Sequence, residues 1–287
     1  MQHGCIVAAF GRHYQVELAD GRRTTGFPRG KKSQFAVGDS VTLSETGQIE
    51  AHEPRRSLLY RSDAFRQKLI AANVSQVVLV VATEPSFSDL LLTRALVAAE
   101  DQELKALIVL NKIDRAAALV AARACVQPFA ALGYQRVELS ARQDAAPLRP
   151  WLEGETSVLI GQSGMGKSTL INALIPEAAM ATREISTALD SGKHTTTHAR
   201  LFRLNQRSIV IDCPGLQEFG LAHLTPEAIA YGFVEFRPHL GHCRFRDCRH
   251  AAEPDCAIKQ AVAAGEIDPR RLEHFHQLIR ESVHGSH

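Results

Sequence analysis

Gly161-Gln-Ser-Gly-Met-Gly-Lys-Ser168 sets glycines, a lysine and a hydroxyl at the spacing Gly-x-x-x-x-Gly-Lys-Ser. Gly161, Gly164 and Gly166 let the backbone fold tightly enough for several N–H groups to converge on phosphate oxygens. Lys167 then reaches the β and γ groups, and Ser168 offers its hydroxyl to Mg²⁺. Thr169, next in the chain, is counted with these nucleotide-binding residues. A second set, Asn111-Lys-Ile-Asp114, carries a different chemistry. The Asp114 carboxylate can accept from both the ring N–H and the exocyclic amine of guanine, a pair that adenine does not present. Sites built on such paired bonds reject the analogue lacking them by about 10⁴ to 10⁵-fold, so this motif selects GTP and GDP over adenine nucleotides. Asn111 ties the base-binding loop together, the Lys112 stem covers the base face, and Ser140-Ala141 fits a backbone contact to the guanine carbonyl.

Two further stretches complete a nucleotide site. Asp212-Cys-Pro-Gly215 places a carboxylate where it can hold Mg²⁺ through water and a Gly215 amide where it can sense a γ-phosphate. In Gly192-Lys-His-Thr-Thr-Thr197 a threonine can complete the Mg²⁺ shell only while the γ-phosphate is present, which makes that loop a sensor.

The third chemistry is metal binding. Cys243-x-x-x-x-Cys248-x-His250-x-x-x-x-x-Cys256 supplies three thiolates and an imidazole within fourteen positions. Such a set closes a tetrahedral Zn²⁺ shell with no open position for catalysis, and binding there supplies on the order of 10 kcal/mol to folding a small unit. His239 and His242 are alternative imidazoles. Cys5 and Cys125 have no companions and read as ordinary thiols, so the cysteine pattern points to metal in a reducing compartment before disulfides.

These residues need elements to hold them. Residues 1 to about 60 alternate in short segments (Ile6 to Phe10, Tyr14 to Leu18, Ser40 to Leu43, Gln48 to Ala51) broken by Gly, Pro and Asp-Gly turns, the pattern of a small antiparallel barrel. Between Arg22 and Lys32 lie five cations and no acid, read as a basic loop that is either an RNA-facing surface or a solvated turn. Few aromatics lie close in sequence to stack bases. Arg55 to Gln67 reads as a connector. From Val74 to Ala82 the chain turns apolar and then alternates: strands at 105–110 and 136–139, helices at 90–101 and 116–132, and the strand Ser157 to Ile160 before the phosphate loop. That alternation predicts a doubly wound α/β domain with ligands at the carboxyl ends of its strands. After the strands at 199–205 and 208–211 comes the cysteine-rich region, where Arg237, Arg244, Arg246 and Arg249 read as a second basic surface. A last helix over 269–283 carries Leu272, Phe275, Leu278 and Ile279 at helical spacing.

The chain has 287 residues, 45% apolar and 22% charged, with a net charge of +2. Its apolar runs are far shorter than the eighteen or so residues of a membrane span, and its start lacks a secretory signal, so a cytoplasmic protein with no membrane partner is expected. The expected architecture is multidomain α/β: an OB-like β-barrel over 1–62, a P-loop GTPase domain with a doubly wound sheet over 63–222, and a zinc-binding helical domain over 223–287.

The order of the motifs is unusual. Asn111 to Asp114 and Ser140-Ala141 precede the phosphate loop, whereas a GTPase commonly has them after it; this is a circular permutation, which closely spaced domain termini permit. With the Gly-Lys-His-Thr-Thr-Thr stretch, Asp-x-Pro-Gly at 212–215 and the Cys-Cys-His-Cys set, the chain resembles the circularly permuted small ribosomal subunit biogenesis GTPase family, RsgA. Met165 and Cys213 replace commoner residues at non-contacting positions. The resemblance implies binding to the small (30S) ribosomal subunit and its rRNA during late maturation, slow GTP hydrolysis that the subunit stimulates, and release afterwards. It also implies phosphate and Mg²⁺ roles for Lys167 and Ser168, the switch role for Thr196, and a catalytic role for His194. The residues support the last point on their own terms. Where a Ras-like enzyme has the water-orienting Gln after the Asp-x-x-Gly glycine, this chain has Leu216, which cannot polarise water, and His194 is the nearest candidate base. Catalytic residues are therefore expected to be His194, Lys167 and Thr196, with Ser168, Thr196 and Asp212 around Mg²⁺, in a protein acting as a monomer. The alternative is a nucleotide-gated rRNA-binding checkpoint in which hydrolysis is incidental.

Overall fold

A computed structural model describes the chain except residues 12, 31–33, 63–66, 177, 179–198, 214–220, 222 and 285–287. Its first five strands are β1 (Gln2–Ala9), β2 (Tyr14–Leu18), β3 (Arg23–Pro28), β4 (Ser40–Leu43) and β5 (Gln48–His52). They run β1-β2-β3-β5-β4, and β4 pairs back onto β1, so the sheet closes into a barrel of OB topology. Tyr14, Val16, Leu18, Val41, Leu43 and Ile49 fill it, each separated from the next along its strand by a more exposed neighbour, as the two-residue period of a strand requires.

Two expectations change here. Residues 23–28 are a strand of the barrel, where the sequence reads as a loop. The glycine that suggested a turn, Gly26, lies where the Val16 and Ile49 side chains fill the space a Cβ would take, and Pro28 ends the strand. The basic stretch is also largely neutralised by acids brought from elsewhere: Arg22 pairs with Asp20 at 2.6 Å, Arg23 with Glu17 at 3.5 Å and Arg29 with Glu50 at 2.7 Å. Lys31 and Lys32 lie outside the described residues. The presumed connector contains strands as well. β6 (Leu58–Ser62) and β7 (Gln67–Ala72) form a two-stranded sheet whose Leu59, Ile70, Ala71 and Ala72 are buried.

The second sheet is the predicted doubly wound one. β8 (Gln76–Ala82), β9 (Lys105–Asn111), β10 (Gln135–Glu138), β11 (Thr156–Ile160), β12 (Arg200–Arg203) and β13 (Ile209–Asp212) lie in the order β10-β9-β8-β11-β13-β12. All neighbours are parallel except β12, which pairs antiparallel with β13. Every residue of β8 is buried, as a central parallel strand covered on both faces must be. Val78, Val80, Leu107, Val109, Leu159, Leu170, Ile171 and Val210 form the centre of the core. The two sheets are continuous. β4 covers β1 only from Gln2 to Cys5, and beyond that the outer edge of β1 meets β12, with Ala8 opposite Arg200. The Arg203 guanidinium adds a bond to Glu17 of β2 at 2.7 Å.

Helix α1 (Asp89–Asp101), α2 (Ala116–Ala131), α3 (Arg149–Leu152) and α4 (Lys167–Leu174) follow in chain order, then α5 (Pro226–Tyr231), α6 (Ala257–Ala263) and α7 (Pro269–His284). By contacts, residues 88–103 and 218–287 group with 61–67 into one compact unit, and the barrel and sheet form the other. The first of these units is centred on Phe233, Phe236 and Phe275, the first two stacked at 4.8 Å and Phe275 edge-on at 5.7 and 5.5 Å. On α7, Phe275 and Leu278 are buried as expected, whereas Leu272 and Ile279 are half-buried and Arg271 and His274 are buried instead. The reason is a polar network facing α1. Arg271 donates to Thr93 Oγ1 at 2.7 Å, pairs with Glu235 at 2.5 Å and lies 4.6 Å over the Phe233 ring. Thr93 Oγ1 also hydrogen-bonds His274 Nδ1 at 3.0 Å, and the other ring nitrogen, Nε2, stands 3.6 Å from Asp89. No helix among the described residues is long and apolar enough to cross a membrane.

Candidate nucleotide site and metal-binding cluster

The sheet brings the sequence-predicted motifs to one end. Asn111 is the last residue of β9, Ser140 and Ala141 follow β10, Gly161 follows β11, and Asp212 is the last residue of β13, all at carboxyl ends. Asn111, 1% exposed, ties three loops: its Oδ1 accepts from the N–H groups of Lys112 at 2.8 Å and Ala141 at 2.9 Å, and its Nδ2 donates to the Met165 carbonyl at 2.9 Å. Lys112 adopts φ 61°, and its ammonium donates to the Glu84 and Gly164 carbonyls at 2.7 and 2.6 Å. The base-selecting loop is thus bonded directly to the phosphate loop. Lys112 therefore does more than lay its stem along a base, and the Ala141 N–H is engaged by Asn111. The carbonyl partners of Lys112 carry no side-chain signature, so no residue pattern announces them. The Asp114 carboxyl is exposed, and the neighbouring Ser140 hydroxyl, aided by Arg115 and Arg142, holds it below the ordinary carboxylate range. It is an anion ready to accept.

The phosphate loop has the shape its glycines permit. A Cβ on Gly161 would run into the Val80 carbonyl, and one on Gly166, at φ 91°, into Asn111 Nδ2. Gly166 caps the N-terminus of α4, whose first turn contains Lys167, Ser168 and Thr169, the last two exposed. The Lys167 ammonium donates to the Gly161 and Gln162 carbonyls at 2.5 and 3.2 Å, folded over its own loop. Burial pushes its pKa below the ordinary lysine value, and Asp212 opposes that shift. Asp212 is buried and sits opposite Leu159, two residues before Gly161. A hydroxyl and a carboxylate beside a phosphate cradle are the oxygen donors that a hard cation such as Mg²⁺ requires, so the residues fit that ion. Burial pushes the neighbouring Cys213 thiol far up, which makes it an inert filler. His194, Thr196, Gly215 and Leu216 lie outside the described residues.

Cys243, Cys248, His250 and Cys256 converge, with all four ligand atoms within 4.8 Å of one another. The Cys243 Sγ to His250 Nδ1, His250 Nδ1 to Cys256 Sγ and Cys243 Sγ to Cys256 Sγ distances are 3.5, 3.3 and 3.9 Å. A tetrahedral zinc ion with its usual bond lengths has ligand-to-ligand edges of about 3.5 to 3.8 Å, so the set is compatible with zinc. His250, at φ 60°, supplies the imidazole, and its ring lies 5.8 Å from Phe275. The Glu253 carboxylate accepts from the Arg249 and Ala251 N–H groups at 3.0 and 2.9 Å, which holds its pKa down at about 2 and pins the loop. The arginines around the cluster are less free than the sequence suggests. Arg237 pairs with Glu100 at 2.6 Å and lies over Tyr231, and Arg244 pairs with Asp255 at 3.1 Å.

The family model described as RsgA GTPase matches residues 52–222. The chain belongs to the RsgA GTPase family. It is 54% identical over 280 residues to the small ribosomal subunit biogenesis GTPase RsgA of Nitrosospira multiformis, covering 96% of this chain and 90% of the relative. Against the protein of the same name from Burkholderia pseudomallei it is 54% identical over 288 residues, with 97% and 92% covered. Among solved structures, YjeQ from Thermotoga maritima superposes with a TM-score of 0.74 at 32% identity over 98% of both chains. YloQ, described as a circularly permuted GTPase, superposes with a TM-score of 0.69 at 28% identity over 99% of this chain and 95% of its own. The chain is accordingly a GTPase with a permuted motif order, an amino-terminal five-stranded barrel and a carboxyl-terminal Cys₃His cluster.

Proposed function

We propose that this GTPase binds the small ribosomal subunit during late maturation, hydrolyses GTP faster when bound, and leaves the subunit as GDP forms. The observation that carries the reading is the bonding of the guanine-selecting loop to the phosphate loop through Asn111 and Lys112, which makes one preorganised site of two motifs. Relatives that share about half their residues with it over nearly the whole chain carry the name small ribosomal subunit biogenesis GTPase, which supports the choice of partner. In this reading Gly161, Gly164, Gly166, Lys167, Ser168 and Thr169 hold the phosphates. Asn111, Lys112, Asp114, Ser140 and Ala141 hold and select guanine. Ser168, Thr196 and Asp212 surround Mg²⁺, which when bound neutralises developing phosphate charge. Gly215 senses the γ-phosphate, and His194 positions or deprotonates the attacking water. The Cys₃His cluster holds structural zinc. The working domains are 1–62, 63–222 and 223–287, in a cytoplasmic monomer.

The barrel supports an RNA partner in a way the sequence does not suggest. Phe10 and His13, in the β1–β2 connection, stack at 5.1 Å, and His13 stands 6.4 Å from Phe27 on β3, which is 50% exposed. These rings occupy the β1–β2 loop and strand 3 of an OB barrel, the region with which such barrels meet oligonucleotides.

Co-sedimentation with isolated small and large subunits, in GDP and in a non-hydrolysable GTP analogue, tests the partner. Analogue-dependent binding to the small subunit alone is expected, and equal binding to both, or to neither, overturns the reading. His194→Ala should bind GTP normally and lose subunit-stimulated hydrolysis; a retained stimulated rate removes His194 from catalysis.

A further inference from the structure

One row of residues crosses from the phosphate-loop strand to the barrel. Leu159 of β11 lies opposite Asp212 of β13, Asp212 opposite Arg200 of β12, and Arg200 opposite Ala8 of β1. Directly opposed residues on neighbouring antiparallel strands project to the same face, so Arg200 and Asp212 share one. Asp212 is buried and Arg200 half-buried, which keeps their interaction stronger than that of an exposed pair. Burial lowers the Arg200 pKa and Asp212 raises it again.

Two cations therefore answer the Asp212 carboxylate, and they differ in what a nucleotide does to them. Lys167 stands on the phosphate loop, where bound phosphates take up its charge. Arg200 stands on the other flank of Asp212, outside the phosphate loop, on β12, whose outer neighbour is β1 of the barrel. Phosphates bound in that loop therefore do not take up its charge directly. A divalent cation arriving at Asp212 must then bind against a fixed positive neighbour. With the γ-phosphate present, extra negative charge offsets that repulsion; with GDP it does not.

We propose that Arg200 is a positioning residue that serves as the standing counter-ion of Asp212, weakens Mg²⁺ binding in the GDP state, and so makes cation retention report the γ-phosphate. The inference rests on the assignment of Asp212 and Ser168 to the cation made above.

The test is a Mg²⁺ titration of the full chain loaded with a fluorescent N-methylanthraniloyl GDP, repeated with the corresponding GTP analogue. Arg200→Gln should raise the Mg²⁺ affinity of the GDP complex about tenfold and narrow the gap between the two nucleotides. Arg200→Lys, which keeps the charge, should retain the wild-type values, and in an Asp212→Asn background Arg200→Gln should have no further effect. Circular dichroism verifies that each variant is folded. Should Arg200→Gln not fold, Arg200→Leu, which keeps the apolar stem, carries the same expectation. Unchanged or weaker Mg²⁺ affinity in a folded neutral variant overturns the proposal. Failure of the wild-type chain to bind N-methylanthraniloyl GDP at saturating Mg²⁺ would instead overturn the reading of the nucleotide site itself.

Discussion

Asp114 is exposed and its pKa is held low, while the residue three before it, Asn111, is buried and makes three hydrogen bonds. The two ends of one short motif thus differ: Asn111 fixes the loop, and Asp114 is left exposed, free to meet a base in the reading proposed above. Asp114→Ala should leave the fold intact and lower the preference for GTP over ATP by about 10⁴-fold, measured by competition against a fluorescent guanine nucleotide. Such residues were readable in the sequence because their chemistry resides in their own side chains at fixed spacing. The bonds from Lys112 to the carbonyls of Glu84 and Gly164 were not, because any residue offers a carbonyl and only the fold brings those two together. The neutralised arginines follow the same rule. Asp20 lay two positions from Arg22, but Glu50 reaches Arg29 only because β5 pairs with β3.

The strands and helices with strong periodicity were found within a residue or two: β8, β9, α1, α2 and α7 each carry long apolar patterns. β3 and the β6–β7 pair are not legible, since Gly26 and Pro28 read as turn residues and β6 and β7 are short strands without an alternating pattern, each carrying one charge, Arg61 and Lys68. Helix α7 shows a subtler failure. Its face toward α1 includes Arg271 and His274, and a polar residue gives no periodic hydrophobic signal however deeply it is buried. Burial pushes the His274 pKa below its ordinary value, with Asp89 opposing and Arg271 and Arg270 adding to the fall, while Glu273 opposes it weakly. The native state therefore favours the neutral ring. Its contribution to stability is full above the ordinary histidine value of about 6.5 and is lost as pH falls from there toward the depressed native value. Melting temperatures at pH 7.5 and at progressively lower pH should fall more for the wild type than for His274→Gln. The metal loop makes a second demand on its own element: Cys256→Ser should lose bound metal, measured by atomic absorption, and melt the helical signal of the carboxyl-terminal unit at a lower temperature, since structural metal supplies on the order of 10 kcal/mol to such units.

At the scale of the molecule, the barrel and the nucleotide-binding sheet meet at β1 and β12. The permutation changes the order of the connections and keeps the order of the strands; β12 is an outermost strand of that sheet, reached by the chain immediately after the sensor stretch. An outermost strand presents unpaired N–H and C=O groups to any other strand it meets, and proteins blunt such edges by covering or charging them. Here β12 has Arg200 and Arg203 at its ends, and β1 lies against part of it, with the Ala9 N–H bonded to the Ala199 carbonyl at 3.4 Å. The barrel is therefore also a guard against self-association. A chain lacking residues 1–52 should still bind GDP but form concentration-dependent oligomers through β12, seen by light scattering; a truncated chain that stays monomeric at all concentrations would show that the two arginines alone are sufficient protection.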